Sequence, residues 1–488
     1  MRLTDIFSYK GANVLSKDLN SMIVAMKQLM RKRYLSTYYV LKDYSIRILK
    51  RNGSPAQVVM TVNSPPSPNP SHKGRGTAIS LPLQDYQRNN VEKEKISLDT
   101  IWIEITSYCN QKCSFCPDPM RKTKRELMEY DFFKKIVDDI KRDFNVNMIN
   151  LNAFGEPLLH PRLFDMIDYI RSQNIKTVVT FITNAIKLTE KYLSNFDGHY
   201  PDTIGVSVQN DNQESYLKTR DSKAGNFMMI VNNTVNLIKH VISQKYACSI
   251  TIFHLVVNGN EFYGVPQDIL DAFPNTLEQF KEIISLWQNA LRIIANKYDI
   301  RMNVIDDEQI EKCWLQAKQE GDNYIRIMNW FAADGSFQEV NIFPRPVSTF
   351  ANFLPYYSTD WFVVPRTFTN CICNFTKKPS LSIYANGQLG ICCVDMEKTA
   401  TFGSINDYHS LRDAITSDSY LSFVANLKKG VLTKEACQIC LGNVFNRSVL
   451  EKMSMEEVEI NVLKSQIDIA RKLSDATETN KQSKLKTN

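Results

Sequence analysis

Tyr108-Cys-Asn-Gln-Lys-Cys-Ser-Phe-Cys-Pro-Asp118 decides how the rest of this 488-residue chain is read. Its thiols, Cys109, Cys113 and Cys116, are separated by three and then two residues. A 4Fe-4S cluster that only carries electrons takes four cysteine ligands, so three clustered thiolates with no fourth nearby leave one iron with an open position. An open position is where chemistry occurs, by the logic that separates catalytic from structural zinc. The alternatives for this stretch alone are a zinc knuckle or buried thiols.

Around the motif, short β-rich runs alternate with helical patterns. Strands are predicted at 98–106, 147–152, 176–182, 203–208, 247–256 and 300–305, and helices near 131–142, 161–172, 189–195, 226–243 and 276–297. Strand and helix in alternation build βαβ units and a parallel sheet. The predicted fold class is therefore α/β, a partial (β/α)6 barrel. Reactive residues of barrels gather at the C-terminal ends of strands. The three cysteines follow the first strand, Phe154-Gly155-Glu156-Pro157 the second and Thr183-Asn184 the third, while Ser207 and Gln209 close the fourth and 258–261 follows the fifth.

The CxxxCxxC with Phe115 before its last cysteine resembles the cluster motif of the radical S-adenosylmethionine (radical SAM) enzymes, over roughly residues 99–305. Gly155-Glu156-Pro157 looks like the end of the family's GGEP motif, with Phe154 at the first glycine. Thr183-Asn184 resembles its T-N-G, with Ala185 replacing glycine. The resemblance implies that Cys109, Cys113 and Cys116 hold a 4Fe-4S cluster whose open iron is chelated by S-adenosyl-L-methionine. Reductive cleavage then gives methionine and a 5'-deoxyadenosyl radical. It assigns Phe115, Gly155, Glu156, Pro157, Thr183, Asn184, Ser207, Gln209 and Arg220 to cofactor binding: Glu156 accepts from the cofactor ammonium, Ser207 and Gln209 meet the ribose, and Arg220 pairs with a carboxylate. The acidic group after the sixth predicted strand offers Asp306 and Asp307 as candidate bases, against a solvated helix start.

A second group of cysteines begins at Cys371-Ile-Cys373. Asn386-Gly387, between Ile383 and Leu389, is a hairpin signal that turns the chain back before Cys392-Cys393, and Cys437-Gln-Ile-Cys440 adds a CxxC. Four thiolates brought together make a closed site for zinc or an iron-sulfur cluster. The region resembles the SPASM extension or its shorter twitch form. That implies one auxiliary 4Fe-4S cluster on Cys373, Cys392, Cys437 and Cys440, with Cys371 and Cys393 as alternatives, and no second auxiliary cluster.

Residues 1–51 read as a helical extension with one amphipathic helix in 18–51, 52–97 as a Pro/Ser/Gly-rich linker, 98–346 as the barrel, 347–448 as the auxiliary domain and 449–488 as a charged helix and disordered tail. The aromatic run 350–368 reads as loop packed on the barrel. No apolar run approaches a membrane span and the first residues lack a secretory pattern, so the expected compartment is the cytoplasm. A net charge of +7 without a long basic block argues against nucleic acid.

The expected function is hydrogen abstraction from a peptide or protein substrate, with the auxiliary cluster as electron acceptor and a reductant such as flavodoxin or ferredoxin as donor. The alternative within the family is dehydrogenation of a small molecule such as an aminocyclitol or sugar. The alternative of another class is a non-enzymatic, zinc-stabilised nucleic-acid-binding protein, which leaves the ordered strand-end residues unexplained.

Overall fold

The computed structural model describes residues 44–49, 57–62, 94–220, 226–259, 264–317, 324–358, 361–369 and 373–446. In an N-terminal unit, Tyr44–Leu49 (β1) pairs antiparallel with Gln57–Val62 (β2). This corrects two expectations: the segment predicted as helix ends in a strand, and the predicted linker contains one. The run Gln-Val-Val-Met-Thr-Val favours a pleated strand despite its Pro- and Ser-rich neighbours. The rest of residues 1–93, with Cys371 and the predicted helix and tail beyond 446, lies outside the described residues.

The main unit is built on Ile96–Ile103 (β3), Phe144–Asn150 (β4), Val178–Thr183 (β5), Thr203–Gln209 (β6) and Ser249–Val256 (β7), each parallel to the next. The principal helices between them are Tyr130–Asp143 (α1), Leu163–Ser172 (α2), Glu190–Leu193 (α3), Gln213–Thr219 (α4) and Phe227–Ser243 (α5), and Leu277–Tyr298 (α6) follows β7. In α1, Phe133, Ile136, Val137 and Ile140 recur at helical spacing and are fully buried. α6 opens with a Thr276/Gln279 capping box, which satisfies otherwise orphaned backbone donors.

The sixth parallel strand is Phe337–Pro346 (β9), which pairs with β7, and not 300–305 as predicted. Residues 300–305 instead run beside Ile325–Phe331 (β8), the antiparallel edge strand, through a bridge from Met302 to Met328 and a bond from the Asn303 N–H to the Ile327 carbonyl. Asp334-Gly335 makes the β8–β9 turn, with Gly335 at φ +81° and the Asp334 carboxylate accepting from the Ser336 N–H.

Beyond the barrel the chain re-enters the same sheet. Ser380–Ile383 (β11) pairs parallel with the free edge of β3, then Gln388–Gly390 (β12) and Thr401–Ser404 (β13) extend it antiparallel, giving ten strands in one sheet. Gly387, at φ +83°, makes the predicted turn. The aromatic run is not only loop. It holds a short helix, Phe353–Tyr357, and Trp361–Val364 (β10), which pairs antiparallel with Asn443–Asn446 (β14). Among the described residues no helix is long and apolar enough to cross a membrane.

Alternation of side chains along each strand separates two faces. Ile250, Ile252 and His254 of β7 are fully buried, and His254 accepts from the Trp287 indole of α6 at 2.9 Å. Phe253 faces the other way, into the barrel, where it crowds β6 so closely that a Cβ on Gly205 would lie 2.7 Å from its ring.

Candidate functional site

The loop after β3 is clamped by its neighbours. The Ser114 N–H donates to the Thr219 carbonyl of α4 at 2.8 Å, and the Cys116 N–H closes a turn onto the Cys113 carbonyl at 3.1 Å. Phe115 meets Phe273 edge to face, with ring centroids 5.4 Å apart, in an apolar cluster with Leu255, Val265, Ile269 and Val347 against which Cys113 and Cys116 pack. The segment after β7 is thus scaffolding for the cysteine loop. Burial pushes the Cys109 thiol up to about 12, with Glu156 and Cys113 adding to it. Burial likewise raises Cys116, reinforced by Cys113 and Cys109, so the three sulfurs share one buried region.

Gly155 sits at φ +90°, where a Cβ would fall 2.4 Å from the Thr106 carbonyl oxygen, so only glycine brings this backbone against the end of β3. Its successor, Glu156, donates its backbone N–H to the Tyr108 carbonyl at 2.8 Å. The Glu156 carboxylate accepts from the Thr183 hydroxyl at 2.7 Å, the Asn184 N–H at 2.7 Å and the Leu158 N–H at 3.1 Å, the last capping the turn that begins at Pro157. The Asn184 amide reaches the Asn110 side chain at 2.7 Å. Burial lifts the Glu156 carboxyl to about 7 against these donors, which favour its ionised form. Ala185 holds φ +63°, the conformation for which the related motif uses glycine.

At the end of β6, Gln209 also has positive φ, +63°, and marks a shift in register against β7. Arg220, 5% exposed, donates through Nη2 to the carbonyls of Ser207 (2.6 Å) and Val208 (3.0 Å), and through Nε to Asn210 Oδ1 (3.0 Å). Its Nη1 and the Gln209 Oε1 are buried without a hydrogen-bond partner among the described residues. A buried, unpaired guanidinium donor calls for an oxyanion. The arrangement fits a cofactor that brings a carboxylate, and the three thiols beside it fit a cluster with one open iron.

The candidate bases stand elsewhere. Asp306 is exposed and caps the helix Asp307–Leu315 in a box with Gln309, and Asp307 pairs with Lys281 at 2.8 Å. Their carboxylates serve a helix start beside β8.

The second cysteine group follows the β11–β12 hairpin, whose turn is at Gly387. Burial raises Cys392, Cys437 and Cys440, with Cys440 acting on Cys392, Cys373 and Cys440 on Cys437, and Cys373 on Cys440. Cys373, Cys437 and Cys440 act on one another, and Cys392 is acted on first by Cys393 and then by Cys440, with Cys393 also near Arg345. Asn352, at φ +65°, donates to the Ile439 and Cys440 carbonyls at 3.1 and 2.8 Å and fixes the CxxC turn. Among the described residues no three His, Cys, Asp or Glu side chains converge on a single metal ion. Thiolates of a cluster are shared among several irons and need no common centre.

Residues absent from the sequence reading join the two groups. Glu104, 1% exposed at the end of β3, pairs with Lys398 at 3.1 Å, lies 3.7 Å from Arg121 and accepts weakly from the Ala385 N–H. Arg121 and Arg125 both bind Asp118, two residues past Cys116. Glu397 accepts from the N–H groups of Lys122 and Thr123. The only signal for this network was a charged residue, Glu104, inside an apolar strand.

Residues 103–265 match the model of the Radical SAM superfamily. The chain is 33% identical over 93 residues to a tungsten-containing aldehyde ferredoxin oxidoreductase cofactor-modifying protein of Pyrococcus furiosus, covering 19% of this chain and 26% of that one. It is 34% identical over 117 residues to a probable GTP 3',8-cyclase of Methanococcus maripaludis, covering 24% and 38%. The matches thus span about a quarter to two fifths of these relatives' lengths. Among solved structures, Streptococcus suis SuiB bound to S-adenosylmethionine aligns over 71% of this chain and 72% of that one, at 13% identity and a TM-score of 0.39.

Proposed function

We propose, for a chain whose residues 103–265 form a Radical SAM superfamily domain, a radical enzyme that removes hydrogen from an unactivated carbon of a peptide or protein substrate and passes the remaining electron to an auxiliary cluster. The observation that carries this reading is the grouping at the strand ends of three part-buried thiols, the Glu156–Thr183–Asn184 junction and the unpaired Arg220 donor. Bound there, a 4Fe-4S cluster and S-adenosyl-L-methionine supply reductive cleavage of the cofactor to a 5'-deoxyadenosyl radical, the hard part of the chemistry.

The chain's own residues hold and shield. Cys109, Cys113 and Cys116 provide three thiolates and leave one coordination position open. Arg220 Nη1 is the donor for the cofactor carboxylate, while its other nitrogens fix it to β6. Glu156 keeps the loops after β4 and β5 in register and offers charge to the cofactor ammonium. Phe115, Leu255 and Phe273 exclude water from the cysteine loop, so that a reactive species meets substrate rather than solvent. Cys373, Cys392, Cys437 and Cys440 form the closed set, suited to receiving an electron without binding a cofactor.

A peptide substrate is supported by the auxiliary cysteine region, whose strand β11 extends the barrel sheet beyond β3. The second reading, a small phosphorylated substrate, is favoured by the match to GTP 3',8-cyclase. The test is anaerobic purification, a metal count, and 5'-deoxyadenosine formation under a strong reductant. About eight irons are expected, two 4Fe-4S clusters' worth, and a colourless zinc protein overturns the proposal. Replacing Cys109, Cys113 and Cys116 with alanine should abolish 5'-deoxyadenosine. A folded Cys437→Ala, Cys440→Ala variant should lose about four irons and stop at cofactor cleavage, and product at the wild-type rate refutes the electron-acceptor role.

A further inference from the structure

Arg345 lies near the C-terminal end of β9, opposite Leu255 of β7, with Phe343 opposite Phe253. The intervening pairs, Ile252 with Ile342 and His254 with Pro344, belong to the buried helix-facing side, so Phe343 and Arg345 face the barrel interior. The guanidinium carbon stands 3.8 Å from the Phe253 ring centroid and 5.6 Å from that of Phe343, which fixes its plane. Leu255 packs in the same apolar cluster as Phe115, against Cys113 and Cys116. The guanidinium also lies close enough to Cys393, next in sequence to Cys392, for its charge to favour that thiolate. Arg345 therefore stands on a strand near residues of both cysteine groups.

Its cation, on a part-buried side chain, differs from those of Arg121 and Arg220. Arg121 has Asp118, and Arg220 has Asn210 and two carbonyls. Among the described residues Arg345 has aromatic rings and a thiol but no carboxylate and no hydrogen-bond acceptor. A ring face attracts the charge yet accepts none of the five in-plane N–H donors, so the edge of this part-buried guanidinium is open to an incoming acceptor.

We propose that Arg345 anchors the substrate by binding an oxyanion, a carboxylate or a phosphate, at the barrel-interior end of β9. This deepens the preceding reading and rests on it for the identity of the bound molecule as substrate. The guanidinium edge suits bidentate binding of a planar carboxylate or of two phosphate oxygens, and its position on a strand makes the contact a fixed reference for the carbon to be attacked. A carboxylate is what a peptide side chain or terminus brings; a phosphate is what a nucleotide brings.

The test uses the full chain, anaerobically purified with its clusters, and three probes: N-acetyl-L-glutamate, glycerol 1-phosphate and uncharged N-acetyl-L-glutamine. In titration calorimetry the wild type should bind one charged probe about tenfold or more tighter than the neutral one, and which probe wins identifies the source of the oxyanion. Arg345→Met should lower that affinity roughly ten- to a hundred-fold, with Arg345→Lys between, as for loss of a charged hydrogen bond. Should the variants misfold, phenylglyoxal labelling of wild-type Arg345, mapped by mass spectrometry, should be slowed by the charged probe alone. Equal binding of charged and neutral probes, no binding by the wild type, or unchanged affinity in folded Arg345→Met overturns the proposal. Such results would mean that the guanidinium only balances nearby thiolates. Wild-type 5'-deoxyadenosine formation is scored separately, so failure of the enzyme reading and failure of anion binding appear in different measurements.

Discussion

The backbone N–H of Asn184 donates to the Glu156 carboxylate across 2.7 Å, and this one bond locks the loop after β5 to the loop after β4. With the Thr183 hydroxyl on the other carboxylate oxygen, two short motifs that lie 27 residues apart become one structural piece. Glu156→Ala strands three donors in a buried region. The expected loss is about 3 to 5 kcal/mol of stability, together with weaker S-adenosyl-L-methionine binding. Glu156→Gln, which keeps an acceptor and the shape, should lose markedly less. Urea denaturation of the three proteins checks the order; an alanine variant as stable as wild type refutes the locking role.

Arg220 should prove to be a cofactor residue. Arg220→Lys removes the in-plane fork while keeping the charge, and S-adenosyl-L-methionine affinity is expected to fall roughly tenfold or more with the iron content unchanged. Equilibrium binding to the reconstituted protein measures it. An unaltered dissociation constant would return Arg220 to a purely structural role, that of tying α4 to the β6 carbonyls.

The Glu104–Lys398 pair, 1% and 3% exposed, joins the strand before the first cysteine group to the segment after Cys393. Lys398→Met leaves a buried carboxylate whose nearest remaining cation is Arg121 at 3.7 Å. The expected cost is about 3 to 5 kcal/mol, and the double change Glu104→Gln, Lys398→Met should recover part of it. A single variant with an unshifted urea midpoint would show that the pair does not join the two regions energetically.

His254 gives the stability a dependence on pH. Burial holds its imidazole at about 3 in the fold, against about 6.5 in an unfolded chain. With the folded value depressed, the unfolded state binds the extra proton, so stability is full above about 6.5 and falls as the pH drops toward 3. The slope approaches 1.4 kcal/mol per pH unit, about 4 to 5 kcal/mol across the window, as an upper bound. His254→Gln, which can still accept from Trp287, should flatten this limb between pH 6 and 4. Parallel acid limbs for variant and wild type would sink the assignment.

Much of this protein is set by local sequence. The cysteine spacing, the Gly-Glu-Pro and Thr-Asn turns and five of the barrel strands are short-range patterns, and periodic apolar residues with their turn signals are readable without a partner. The sixth strand was not. Phe337–Pro346 carries Pro344 and Pro346, a signal against an interior strand. Pairing explains the exception: β8 ends its register at Ile342, so the prolines sit where only β7 is bonded, and the Val347 N–H still reaches the Val256 carbonyl at 3.1 Å. The alternating run 300–305 looked better by itself, but Val304 is 83% exposed and no interior edge was left for the run to join.

Asp306 and Asp307 show the same limit in the site: a cluster of carboxylates is visible in sequence, but whether it faces a cavity or caps a helix depends on where that helix lies. Conversely, Arg345 and Glu104 carried no motif. The chain by itself determined which residues can ligate and which segments pair with themselves. Tertiary structure decided which edge accepted the sixth strand, that β11 would close on β3, and which charges were left buried without a partner. Those outcomes depend on hydrogen bonding and desolvation between segments about 90 to almost 300 residues apart, and no local pattern encodes them.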